Sequence, residues 1–410
     1  MIKRLTEEKN LVLFDQAVFS GTSFTVTALL ARFLGIEGFG VYSSIILGIY
    51  LLISMSNALI IQPMQVAFAK FENSKPYIGF TFLLQILLCS IIFILSGIIQ
   101  ASGFMDFGKL ASVNFLYIGA IACLWLTHDY FRKMFLALQE IKNTIVVDCI
   151  MAGIQLTGII GLGVTHQLNL DATIIIMASG YLVSSLVGFF LSSFKLKDMK
   201  IGQNYLSYHK REGSLLFLSS LLQWWSGNLF VVASGLFLGV AALGAFRLVQ
   251  SMFGVLNLLL QTYENYVLPK AAKLYAASQL ESKLYLRSIT SKGGILFAVV
   301  LIPLFVFSKY AIQLFGGAEY TDYHYIVRGM VILYCIIYAG YTVRMPIRIL
   351  ALNRSFFVGY CISFLFSVLS FNYLLNNFGI EGALAGLIIN QLLMISYWRN
   401  QLTKHKFSIW

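Results

Sequence analysis

The stretch Phe33-Leu34-Gly35-Ile36-Glu37-Gly38-Phe39-Gly40 separates two long apolar runs, 11–34 and 40–62. A helix rises ~1.5 Å per residue, so each run is long enough to cross a ~30 Å hydrocarbon core. The few residues between them leave room only for a tight reversal, which makes the two helices antiparallel neighbours. A tight reversal needs a residue that can adopt positive φ, and close helix approach needs one without a side chain; the glycines of this stretch suit both. Working outward, further apolar runs lie at 77–100, 112–127, 144–165, 171–194, 214–236, 243–268, 288–308, 324–343, 355–376 and 380–398. A chain that is 59% hydrophobic and 11% charged lacks the polar surface to cover a water-soluble domain of 410 residues. The expected fold is all-α and polytopic, with twelve transmembrane helices. The longest connections, 195–213 and 269–287, are too short for a soluble catalytic domain.

Basic residues fall in every second gap. All of the 29 Lys and Arg lie on one side of the membrane except Arg32, Lys109, Arg247, Lys309 and Arg328. Placing the majority side in the cytoplasm puts both termini there. The net charge of +12 then reflects orientation and anionic headgroups, not nucleic acid. The first run is too long for the core of a cleavable signal and reads as the first span. Cys89, Cys123, Cys149, Cys335 and Cys361 are scattered singly and suggest neither disulfides nor a metal site. His128, His166, His209, His324 and His405, near span ends or in loops, read as solvated or interfacial.

The chain repeats once. Phe237-Leu238-Gly239-Val240-Ala241-Ala242-Leu243-Gly244 echoes the opening turn at an offset of 204, and Pro63 and Ser20-Gly21 recur as Pro269 and Ser226-Gly227 at 206. Leu136-Ala137-Leu138-Gln139 pairs with Leu350-Ala351-Leu352-Asn353, and Phe378-Gly379-Ile380-Glu381-Gly382 is a third copy of the turn. Glu37 and Glu381 open the following helices, where the positive dipole end favours a carboxylate; an outer-gate role is the alternative. Two pseudo-symmetric six-helix lobes, 1–200 and 201–410, are expected around a central cavity. An even number of spans gives both lobes the same orientation, as in alternating-access carriers.

The run Leu30-Ala31-Arg32-Phe33-Leu34-Gly35-Ile36-Glu37-Gly38-Phe39-Gly40, after a span carrying Ser20-Gly21, resembles the Wzx-type polysaccharide-transporter branch of the multidrug/oligosaccharidyl-lipid/polysaccharide flippase superfamily. The resemblance, over essentially the whole chain, implies a bacterial inner-membrane flippase. Its cargo would be an undecaprenyl-pyrophosphate-linked oligosaccharide, carried from inner to outer leaflet for O-antigen, capsule or exopolysaccharide assembly, alongside other assembly proteins.

Charges inside hydrocarbon cost several kcal/mol, so each needs a reason. Arg32, Arg247 and Arg328 sit in the outward half of their spans and suit a pyrophosphate if they face the cleft; snorkelling to headgroups is the other reading. Asp15, Asp148 and Glu264 lie toward the cytoplasmic ends. Helix-dipole stabilisation accounts for Asp15 and Asp148, while Asp15 and Glu264 are also candidates to bind a coupling ion, proton or sodium. Gln223, Trp224 and Asn228 place amides and an aromatic face at mid-span, suited to a sugar or to helix packing. Pro303 predicts a kink in the ninth span. No cofactor or metal centre is expected. The competing classes are a cation-coupled multidrug exporter of the same fold and a polytopic polymerase or ligase. The exporter calls for carboxylates in the cavity, the enzyme for a large outward loop.

Overall fold

The computed structural model describes residues 2–68, 75–102, 114–192, 194, 195, 198, 199, 201–405 and 407. Of the charge pattern above, Lys70, Lys109, Lys197, Lys200 and Lys406 lie outside the described residues.

Among the described residues the regular elements are helices throughout. They are α1 (Ile2–Ser56), α2 (Gln62–Ala67), α3 (Lys75–Ser102), α4 (Phe115–Ala137), α5 (Ile141–Val164), α6 (Leu170–Leu191) and α7 (Gln203–Leu238). There follow α8 (Val240–Met252), α9 (Gly254–Thr262), α10 (Leu268–Ala277), α11 (Gln279–Val306), α12 (Ser308–Gly316), α13 (His324–Ile349) and α14 (Asn353–Lys404). Eight described helices are long and apolar enough to cross a membrane, and the pair α8 and α9, bent by 51°, makes a ninth. Two of the eight each contain two of the expected spans. α1 is interrupted at Gly35 (φ 67°, ψ 175°) and α14 at Gly379 (φ 55°, ψ −135°), conformations that favour glycine. The expected fourth span corresponds to α4, whose charges set it apart from the eight. The protein is an all-helical, multi-pass membrane protein.

Two compact units divide the chain: Met1–Leu34 with Val41–Leu221, and Gly35–Gly40 with Leu222–Trp410. The boundary falls inside α7, later than the position near 200 that the sequence repeat suggests. In the first unit α4 packs on α3, α5 and α6 around an aromatic core containing Tyr77, Phe80, Phe82, Tyr130, Phe131 and Phe135. In the second, α13 is central and packs on α8, α10, α11, α12 and α14.

The structure corrects several sequence readings. The connections 195–213 and 269–287 are largely helical, because α7 begins at Gln203 and α10 and α11 fill 268–306. Ser278 starts α11 by accepting a hydrogen bond from the Glu281 amide at 3.4 Å, the Ser-x-x-Glu signature of a helix N-terminus. α11 runs through Pro303 and ends at Val306, so the chain breaks at Phe307. The repeat after the fourth and tenth spans is shifted by two residues from the sequence match. Glu140 N donates to Phe135 O and Gln139 N to Leu136 O, while Leu352 N donates to Ile347 O and Ala351 N to Arg348 O. With positive φ at Gln139 (61°) and Ala351 (52°), these are two copies of one helix-ending motif, which makes Arg132 equivalent to Arg344.

The two prolines mark a second structural repeat. A π-helical turn precedes each: Asn57–Ile61 before Pro63, and Tyr263–Val267 before Pro269. Proline has no N–H, so the Leu59 carbonyl four residues before Pro63 loses its usual donor. His209 replaces it, donating from Nδ1 to Leu59 O at 3.1 Å while Nε2 meets the Tyr77 hydroxyl at 2.9 Å. That carbonyl fixes the Nδ1–H tautomer, so Tyr77 is the donor to Nε2. His209, read from sequence as solvated, is buried. Replacing His209 by Phe strands both partners and is expected to cost about 1–3 kcal/mol. Thermal unfolding in detergent measures this, and the loss shrinks in a Pro63→Ala background that restores the backbone donor.

Glycines 40 and 244 have a shared reason. A Cβ at Gly244 would lie 2.8 Å from Ile36 O and 3.1 Å from Gly40 Cα, and one at Gly40 would fall on the Val240 carbonyl. The contact is reciprocal between residues related by the sequence repeat, Ile36 with Val240 and Gly40 with Gly244.

Candidate functional site

The clearest concentration of buried charge lies in the first unit, where α1, α4, α5 and α6 meet. Asp15 and Asp148 are both 0% exposed, His128 1% and Arg132 6%. Arg132 bridges the acids: Nε donates to Asp148 Oδ2 at 2.7 Å and one Nη to Asp15 Oδ2 at 3.1 Å. Its guanidinium lies 3.9 Å from the centroid of the Phe19 ring. His128, one helical turn before Arg132 on α4, places Nε2 3.4 Å from Asp148 Oδ1 and Nδ1 2.9 Å from Ser184 Oγ on α6. Asp15 Oδ1 has no hydrogen-bond partner among the described residues.

Charge arithmetic bounds what this cluster can do chemically. Two carboxylates and one guanidinium leave one negative charge uncompensated when His128 is neutral. Burying a net charge costs several kcal/mol even after relaxation, so the arrangement favours uptake of one small cation. A proton on Asp15 or His128, or a monovalent metal ion beside Asp15 Oδ1, would restore neutrality. The orphaned Asp15 oxygen fits either.

Sequence reasoning included Asp15 and missed the rest. Arg132 was counted among the basic residues of the gap after the fourth span and His128 was read as solvated or interfacial, but α4 continues to Ala137 and carries both inside the unit. Asp148 was explained by a helix terminus. α5 begins at Ile141, so Asp148 stands two turns in, beyond the reach of the terminal dipole, which fades within the first turn. Asp15 is likewise interior to α1. The available signal was the i, i+4 spacing of His128 and Arg132, which puts both on one face of a helix. Beside them, Lys133 Nζ joins Asp129 Oδ2 at 2.7 Å to Asn57 Oδ1 at 2.6 Å, tying α4 to the first π turn.

In the second unit Glu264, on the other π turn, is held by Arg344 at 2.9 Å and by Arg348. Each π turn is thus fastened by basic side chains from the fourth or tenth span. Both Glu264 oxygens face guanidinium groups, which stabilises the ionised carboxylate. Replacing Glu264 by Ala leaves two arginines facing each other. Thermal melting is expected to fall by several degrees, and Arg348→Met in the same chain to restore part of it.

The remaining candidates are dispersed. Arg32 is exposed. Arg247 is half-buried and donates to Gln250 Oε1 at 2.8 Å. Arg328 is exposed, donates from Nε to Ser308 Oγ at 3.0 Å and lies 5.7 Å from the Phe305 ring centroid. Gln223 is exposed, whereas Trp224 and Asn228 are half-buried; Asn228 Nδ2 donates to Trp224 O at 2.9 Å on its own helix. The Trp224 and Trp225 rings meet edge to face at 5.0 Å. The buried face of this segment is Ser226, whose Oγ meets Ser363 Oγ at 2.5 Å and whose carbonyl accepts from Asn390 Nδ2 at 3.1 Å.

No protein-family model matches the sequence, and no curated protein does. Solved structures do. A multidrug resistance MATE family transporter of the MOP superfamily, in its inward-facing conformation, superimposes with a TM-score of 0.74 at 12% identity, covering 95% of each chain. The lipid II flippase MurJ, in an inward closed conformation, gives 0.72 at 10% identity over 97% of this chain and 87% of that one. A MOP superfamily transporter from Pyrococcus furiosus Vc1 (DSM3638), described as having a binding pocket of reversed polarity, gives 0.54 at 13% identity over 98% and 94%. The chain shares its fold with these MOP superfamily structures, one described as a multidrug transporter and one as a lipid II flippase.

Proposed function

We propose that this protein is a flippase that moves a negatively charged, lipid-linked oligosaccharide across a bacterial cytoplasmic membrane, with one small cation exchanged per cycle in the first unit. The observation that carries this reading is the pairing of charge. Asp15, Asp129, Asp148 and Glu264 are each engaged by a basic side chain. A cationic drug needs carboxylates available to it, whereas a pyrophosphate needs guanidinium groups. The likeness in fold to a lipid II flippase supports a cargo with a polyprenyl tail and a glycan head.

In this reading Arg247 contacts the pyrophosphate, and Gln223, Trp224 and Asn228 offer amides and a ring face to the sugars. Arg32 steers the anion from its exposed position. Two lobes matching the sequence repeat, 1–200 and 201–410, alternate access with both termini cytoplasmic, and no bond is broken. Asp15 binds the coupling ion, while Glu264 fastens the second π turn. Proton coupling is favoured over sodium because His128 stands within 3.4 Å of Asp148 and offers the cluster a second protonation site.

A cationic multidrug exporter is the second reading, favoured by the TM-score of 0.74 to a MATE family transporter. The two separate genetically. Deleting the gene is expected to cause lipid-linked repeat units to accumulate on the cytoplasmic leaflet. Wild-type protein clears them, Arg247→Ala clears them at least tenfold more slowly, and drug susceptibility stays unchanged. Drug sensitisation without accumulation would select the exporter.

A further inference from the structure

A groove of about 340 Å³ runs between α11 and α13, lined by Gly294, Phe297, Leu301, Phe305, Cys335 and Tyr338, among others. Its inner end is built by Tyr338, whose ring packs 4.3 Å from Phe297 and whose hydroxyl donates to Thr290 O at 2.5 Å. Gly294 opens space there by lacking a side chain. At the other end Phe305 lies under the Arg328 guanidinium, with centroid and Cζ 5.7 Å apart. Arg328 spends Nε on Ser308 Oγ, is exposed, and has no carboxylate partner among the described residues. Lys309, also exposed, follows Ser308.

We propose that this groove holds one acyl chain of an anionic membrane phospholipid whose phosphate is bound by Arg328. The dimensions agree. At ~1.5 Å per residue, the stretch from Gly294 to Phe305 spans about 16 Å, close to one leaflet of a ~30 Å hydrocarbon core. A phosphate at Arg328 therefore lies at the interface while its chain reaches toward the midplane. A volume of about 340 Å³ suits a single chain of ordinary acyl length and not a long polyprenyl tail. Apolar lining cannot select among lipids, because surrounding tails are as apolar as the groove. Selection rests on the guanidinium, which pairs with phosphate through its terminal nitrogens and discriminates net negative headgroups from zwitterionic ones. The bound lipid fills the seam between two spans of the second unit and makes its packing dependent on membrane composition.

The test is native mass spectrometry of the purified, delipidated full chain in detergent, titrated separately with phosphatidylglycerol, phosphatidylcholine and a polyprenyl monophosphate. Phosphatidylglycerol is expected to bind at roughly fivefold lower concentration than phosphatidylcholine. Arg328→Gln should abolish that preference by weakening phosphatidylglycerol binding more than phosphatidylcholine binding. Ala298→Trp fills the groove and should remove the adduct, whereas Leu296→Trp, outside the lining, should not; both are checked for an unchanged melting temperature. If Ala298→Trp unfolds, Ala298→Leu serves in its place. Equal binding of the two phospholipids, or a preference that survives Arg328→Gln, overturns the proposal. Polyprenyl monophosphate displacing phosphatidylglycerol at lower concentration also overturns it, and reassigns the groove to the carrier lipid.

Discussion

Replacing Arg132 by Leu is expected to lower stability by about 3–5 kcal/mol and to stop transport, because it leaves Asp15 and Asp148 buried without their shared counter-ion. The loss comes from stranded charge, so it should be recoverable. Arg132→Leu combined with Asp15→Asn and Asp148→Asn removes all three charges and is expected to regain most of the melting temperature while remaining inactive. Asp15→Asn alone separates the two properties. It leaves a neutral Arg132–Asp148 pair, so the protein stays folded, but the uncompensated charge that draws in a cation is gone. Flipping should then lose its dependence on the ion gradient. If Arg132→Leu melts normally, the cluster is not the closed ion network described here.

The second large effect is expected at the glycine crossing. A valine or leucine at Gly244 pushes a side chain against Ile36 O and the Gly40 backbone, and one at Gly40 meets the Val240 carbonyl. Flexible side chains can move aside, but carbonyls fixed in helices cannot. Overpacking costs ~1–3 kcal/mol even in cores that adjust, and this site has little to adjust. Transport by Gly40→Leu and Gly244→Leu should fall to background. Gly227→Ala serves as control, since no atom lies within 4 Å of its Cβ position. Because the two glycines share one contact, the double variant should be less impaired than the sum of the singles.

What could be seen in the sequence follows from which physical signals are local. Gly35, Gly239 and Gly379 were legible as turns because positive φ is a property of one residue, and all three adopt it. Apolar length located the spans for the same reason. α4 was cut short at 127 because Asp129, Arg132 and Lys133 look like loop charges one at a time. They are tolerated inside only because Asp15, Asp148 and Asn57 meet them from elsewhere in the chain. Mutual neutralisation across more than a hundred residues leaves no mark on composition. The π turns were half legible: Pro63 and Pro269 were noted as repeat markers, but the widened turn before each depends on how the surrounding helices pack. The bend between α8 and α9 had no signal beyond Gly254. The mismatch at 136–139 shows the limit of short motifs, since the residues align at one offset and the backbone at another.

The most direct test of the proposed function is flipping in proteoliposomes. Purified protein is reconstituted with a fluorescent polyprenyl-pyrophosphate oligosaccharide present in both leaflets, and a membrane-impermeant quencher is added outside. A flippase brings the inner population out, so quenching should proceed past the outer half toward completion, faster with an inward-directed proton gradient and without that acceleration in Asp15→Asn. Quenching that halts at the outer half, in active-fold protein with any gradient, would contradict transport of a lipid-linked oligosaccharide.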